Sequence, residues 1–99
     1  MNVVWKHDLL DVVNRLDLPL GATVLHVAEQ HGVIRLWEVH AADATATERR
    51  IFRVAGTGAP FPVVGANARQ HVGSLVTSGG AFVFHVFEDA MTEAVDHGY

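Results

Sequence analysis

No cysteine occurs in the 99 residues. That absence excludes a disulfide scaffold, a cysteine-ligated zinc site and a thiol nucleophile. No stretch approaches the roughly 20 consecutive apolar residues that a membrane-crossing helix needs. The opening residues, Met1-Asn2-Val3-Val4-Trp5-Lys6-His7-Asp8, lack the basic segment and following apolar segment of a secretory signal. The cytoplasm is therefore the expected location. Basic residues are few: seven Lys and Arg stand against eleven Asp and Glu, for a formal charge of −4. This excludes a polybasic nucleic-acid arm and argues against continuous tracking of a DNA backbone. Charged residues are sparse at 18% while hydrophobic residues reach 49%, the reverse of a disordered chain.

What is present fits one domain. A chain of this length buries roughly two thirds of its unfolded surface, enough for a single modest core. Without disulfides that core must come from packing, with self-association as a further source of burial, so a homo-oligomer is expected. Seven histidines, His7, His26, His31, His40, His71, His85 and His97, would together move the formal charge from −4 to +3 on protonation. Their ordinary role is as surface or hydrogen-bonded core groups.

The chain reads as short extended segments closed by glycine turns. Val3 to Leu10 is a first strand. Asp11 to Leu18, with Val12, Val13, Leu16 and Leu18, fits a short helix or a strand and ends at Pro19 and Gly21. Thr23 to Gln30 and Val33 to Val39 flank His31-Gly32 as a hairpin. A two-residue turn puts Leu25, Val27, Ile34 and Leu36 on one face. A three-residue turn with a bulge puts Leu25 and Val27 with Trp37 and Val39, so the face of Trp37 stays open. Ala41 to Thr47 is an exposed connection. Glu48 to Ala55 is a strand on which Phe52 and Val54 alternate against Arg49 and Arg53. Gly56 to Pro62 must turn, and Val63 to Gln70 reads as a loop or a short helical turn. His71 to Ser78 and Ala81 to Glu88 form a second hairpin across Gly79-Gly80, with Leu75 facing Phe84, Val76 facing Val83 and His71 facing Glu88. The last strand is apolar on both faces, as expected of a strand inside a sandwich or at a subunit contact. Phe82, Phe84, Val86 and Phe87 are thus the expected interface residues. The predicted fold is all-β, a small sandwich or open barrel of antiparallel hairpins, with at most one short helix. It spans residues 1–88, followed by a polar tail, 89–99, with a turn or two of helix around Ala90, Met91, Ala94 and Val95.

Few residue patterns carry chemistry. Gly56-Thr57-Gly58 follows a strand and offers backbone amides to an anion, but it lacks the Lys-Ser/Thr ending of a phosphate loop and the third glycine of a dinucleotide motif. Arg49, Arg50 and Arg53 form the basic cluster, with Arg35 or Arg69 as further candidates, and guanidinium forks suit phosphate oxygens. Together they make a candidate ligand site for a small phosphorylated molecule or nucleotide. No H-E-x-x-H and no close histidine pair marks a metal site, so neither a metal nor another cofactor is expected. His26 and His40 would meet only in an unusual register, and His85, among Phe84, Val86 and Phe87, reads as a core imidazole. Ser74 and Ser78 lie outside any G-x-S-x-G elbow, and a His71–Glu88 pair reads as structural, so no catalytic residue and no enzyme is expected.

The segments Leu18-Pro19-Leu20-Gly21-Ala22, Val24-Leu25-His26-Val27, Leu36-Trp37, Arg53-Val54-Ala55-Gly56-Thr57-Gly58, His71-Val72-Gly73-Ser74-Leu75 and Phe84-His85-Val86-Phe87-Glu88 follow one another in an order that resembles a family of small bacteriophage-encoded proteins. The resemblance covers about Trp5 to Glu88, and it carries no catalytic motif. It implies an accessory protein acting in the host cytoplasm. The leading expectation is a non-enzymatic protein that binds a host or phage protein. The alternatives are a module for a small phosphorylated ligand and a minor structural protein of the virion.

Overall fold

The computed structural model describes residues 1–60 and 70–90. Seven strands account for most of them: β1 (Asn2–Leu9), β2 (Val13–Pro19), β3 (Thr23–Gln30), β4 (Val33–Ala41), β5 (Thr47–Gly56), β6 (Gln70–Val76) and β7 (Val83–Glu88). They form two antiparallel sheets, β1-β4-β3 and β2-β5-β7-β6, packed face to face as a sandwich. The all-β expectation holds, the sandwich form rather than the barrel is the one adopted, and no helix occurs among the described residues. The loop expected over 63–69 and the helical turns expected beyond Ala90 lie outside the described residues.

Turn chemistry fixes the local geometry. His31 and Gly32 both have positive φ, 53° and 82°, which is the two-residue hairpin turn whose twist matches that of the strands. Gln30 accordingly faces Val33, and Val27 faces Leu36. The pairing then shifts between Val24 and His26, so Leu25 is extruded and 53% exposed. The two-residue register is the observed one, but the bulge removes Leu25 from the buried face and gives its place to Val24. Trp37 points outward and packs against His26, with ring centroids 5.8 Å apart. The segment from Asp11 to Leu18 resolves as strand. The Asn14 side chain, buried at its start, accepts from the Asp11 amide at 3.0 Å and donates to the Asp11 carbonyl at 2.7 Å and the Phe52 carbonyl at 3.3 Å. These bonds hold the crossover from one sheet to the other.

Leu9, Leu18, Val27, Leu36, Phe52, Leu75 and Val86 fill the space between the sheets. Phe52, Leu36, Leu18 and Val86 are fully buried. In the second hairpin Leu75 faces Phe84 and Val76 faces Val83 as expected. A bulge between His71 and Gly73 turns Val72 toward the core, and His71 consequently faces Phe87 while Gln70 takes the position opposite Glu88. β7 lies between β5 and β6, which accounts for its two apolar faces.

Candidate functional site

At the end of the sandwich where β1 hands over to β2, the sheets part around an open cleft of about 530 Å³. Leu9, Leu10 and Val12 form one wall, and Val54, Gly56 and Phe84 the other. The backbone holds this shape. The Val54 amide donates to the Val12 carbonyl at 2.9 Å, and Asn14 clamps Asp11, so the Leu10 and Val12 side chains stand on the rim. They are 72% and 70% exposed. Gly56 has no side chain to meet the Phe84 ring, whose nearest atom lies 3.7 Å from where a Cβ would stand. Arg53 marks the polar margin, its guanidinium donating to Asp89 at 3.0 and 3.2 Å. The volume is in the range that takes a small ligand or one or two apolar side chains.

The three arginines of β5 do not converge. Strand alternation turns Arg49 and Arg53 outward and Arg50 inward, as the sequence pattern requires. Each is committed to a carboxylate: Arg49 to Asp17 at 3.0 Å, Arg53 to Asp89, and Arg50 to both oxygens of Glu88 at 2.6 and 2.8 Å. Arg50 also donates to the Ala22 carbonyl. Arg35, on the outer face of the other sheet, serves Asp8 and Gln30. In the Gly56-Thr57-Gly58 turn, Gly58 has φ 84°, and the Thr57 and Ala59 amides are already bonded to Val83 and Gly56 carbonyls. The turn therefore closes strands rather than presenting those two amides to an anion.

The four expected interface residues also separate. Val86 is sealed in the core, because its strand lies mid-sheet with that face toward the other sheet. It offers no surface to a partner. Phe84 packs on the core, Phe87 lies on the opposite face against His71 at 5.3 Å, and Phe82 is 64% exposed beside the hairpin loop.

A buried polar cluster escaped the sequence reading. Glu38, fully buried on β4, bonds His7 Nε2 at 2.9 Å and His40 Nδ1 at 2.7 Å, one imidazole per carboxylate oxygen. The Trp5 ring meets His40 edge-on at 4.5 Å. Across the interior, the Arg50 guanidinium is held above its ordinary pKa by its hydrogen bonds to Glu88. Burial opposes this, and the charges of Glu88, Glu48 and Glu38 add to it. The cluster satisfies a buried acid within the protein and ties β1 to β4 inside one sheet. His26 pairs with Trp37 on the neighbouring strand but stands on the outer face, opposite the face that carries Glu38 and His40, and His26 and His40 do not meet.

The family model for a domain of unknown function, DUF7352, matches residues 1–96. No curated protein and no solved structure matches the chain.

Proposed function

We propose that this chain, which belongs to the DUF7352 family, is a binding protein that seats an apolar segment of a protein partner in the cleft between its sheets. The observation that carries the reading is the pairing of that cleft with the exposed rim residues Leu10 and Val12. A small molecule inside the cleft would meet Leu10 and Val12 on their inner sides and leave the outer part of each, 72% and 70% exposed, in water. A polypeptide laid across the mouth covers them while it places a side chain within. The order of segments that resembles phage-encoded proteins supports an accessory role in a host cytoplasm. The reading frames beside the gene test that part.

A photo-crosslinking residue at Val12, compared with one at Thr45 in the exposed connection, tests the site. A discrete protein adduct from position 12 that disappears on Leu10→Asp is the expected result. Identical adducts from both positions, or none from position 12 in the cells of origin, would remove the reading. An adduct of twice the chain mass identifies the partner as a second copy, which light scattering then checks.

A further inference from the structure

Away from the cleft, the outward face of the four-stranded sheet carries a line of four polar side chains. Ser74 and His85 are cross-strand partners on β6 and β7. Their neighbours Leu75 and Val86 are buried, so alternation turns Ser74 and His85 away from the core. Ser74 Oγ lies 2.7 Å from His85 Nδ1, and His85 Nε2 lies 2.7 Å from Thr57 Oγ1. Thr57 Oγ1 lies 3.3 Å from the Val83 carbonyl, and His71 Nε2 lies 2.9 Å from Ser74 Oγ. His85 is therefore not the core imidazole expected of its apolar neighbours. It faces outward between two hydroxyls.

The end of this line sets its direction. A carbonyl oxygen only accepts, so the Thr57 hydroxyl donates to Val83. The Thr57 oxygen is then free to accept from His85 Nε2–H. Neutral imidazole carries one N–H, so Nδ1 is a lone pair and accepts the Ser74 hydroxyl proton. Ser74 Oγ in turn accepts from His71 Nε2–H. The Thr57 amide, bonded to the same Val83 carbonyl at 3.1 Å, anchors the turn that supplies Thr57. The Phe87 ring, edge-on to His71, fixes that imidazole from the side.

We infer that Ser74 is a nucleophile that accepts acyl groups from activated esters, with His85 as its general base and Thr57 as the residue that positions His85. A nucleophile, a base within hydrogen-bond reach and a third group orienting the base are the parts such chemistry requires. Ser74 is exposed, so an ester approaches from solvent. Its oxygen bonds to the ester carbonyl carbon while its proton passes to His85 Nδ1. His71 Nε2–H, released from the serine oxygen, is the donor adjacent to the negative charge on the carbonyl oxygen. The bond to the leaving alcohol or phenol breaks, and that group departs with the electron pair and takes the proton from His85 Nδ1, which leaves the imidazole neutral again. Water then adds to the acyl carbon, giving its proton to His85. Ser74 leaves with the proton His85 returns, and a carboxylic acid is released. This chemistry lies on a different face from the cleft and does not depend on the partner proposed for it.

The full-length protein incubated with p-nitrophenyl acetate tests the inference, with p-nitrophenolate release followed by absorbance and the acetylated residue located by peptide mass spectrometry. The expected result is one acetyl group on Ser74, none on that peptide in Ser74→Ala, and a rate in His85→Ala lower by about 100-fold. Thr57→Val is expected to slow the reaction by about tenfold and Thr57→Ser to restore it, a contrast that a purely structural threonine would not give. Thermal unfolding of each variant checks its fold. If His85→Ala does not fold, the Thr57 pair decides. An unmodified Ser74 in the parent protein, acetyl groups only on imidazoles or lysine, or equal rates in parent and folded His85→Ala would each overturn the inference.

Discussion

Gly73 passes beneath Val27 so closely that a Cβ on it would stand 2.7 Å from Val27 Cγ2. The two residues belong to β6 and β3, so this contact sets how near the sheets approach at that point. A methyl group there must push the sheets apart or force Val27 from its rotamer. Gly73→Ala is expected to destabilise the fold by about 1–3 kcal/mol, measured by urea unfolding. Val27→Ala in the same chain should recover part of that loss, so the double variant is less destabilised than the sum of the two. Strict additivity would mean that the cost at Gly73 does not arise from its contact with Val27.

Arg50 and Glu88 form a bidentate pair with little exposure, 12% and 17% for their side chains. Removing one partner leaves the other charge in a poorly solvated place. Arg50→Met is expected to cost about 3 kcal/mol, and adding Glu88→Leu should return much of it. Chemical unfolding of the three variants checks the pattern. A double variant worse than either single one would show that the pair contributes net stability beyond mutual compensation.

Glu38 offers a separate test of buried polarity. Glu38→Gln keeps the shape but turns one acceptor into a donor facing an imidazole. A loss of about 1.5–3 kcal/mol is expected, since hydrogen bonds to charged groups are at the stronger end of the range. Because the Trp5 ring rests on His40, the tryptophan emission of the folded variant should change as well.

The turn at His31 leaves room for improvement. Its φ of 53° strains a residue with a Cβ, whereas asparagine tolerates that region and precedes glycine in the preferred form of this turn. His31→Asn is expected to raise stability by about 0.5 kcal/mol, and His31→Val to lower it. Thermal melting of the two variants gives the sign directly.

The pair of Asp17 and Arg49 responds to pH. The Arg49 hydrogen bond holds the Asp17 carboxyl below its ordinary value; desolvation opposes it, and Arg49's charge adds to it. A lowered folded-state pKa means stability that is present above the unfolded value and lost as the pH falls through the folded one. The gap in stability between the parent and Asp17→Asn should therefore close on acidification. Both side chains are exposed, so raising the salt at neutral pH should narrow the same gap.

Much of the architecture was legible because strands and turns are local events. The runs around His31-Gly32 and Gly79-Gly80 announced their hairpins, and the alternation of Arg49, Phe52, Arg53 and Val54 announced the faces of β5. The ambiguous run from Asp11 to Leu18 needed its partner, since its pairing with β5 spans the intervening hairpin. Register inside hairpins was harder. Leu25 and Val72 each interrupt a ladder, and a single extra residue reverses every face beyond it. Glu38 was hidden for a similar reason. An acid between Trp37 and Val39 reads as solvent-facing until His7, from a strand 31 residues earlier, arrives to bond it. The Ser74–His85 pair was present in the expected register, but its meaning depends on Thr57, which a separate turn supplies.

The position of β7 bears on how the chain reaches its native state. Six strands precede it from the ribosome, yet it occupies a slot between two of them. Until residues 83–88 emerge, β5 and β6 have no ladder joining them, and the seat of Val86 in the core is vacant. Ordering of the four-stranded layer must therefore wait for nearly the whole described chain to be synthesised, which makes its completion a late and strongly cooperative event.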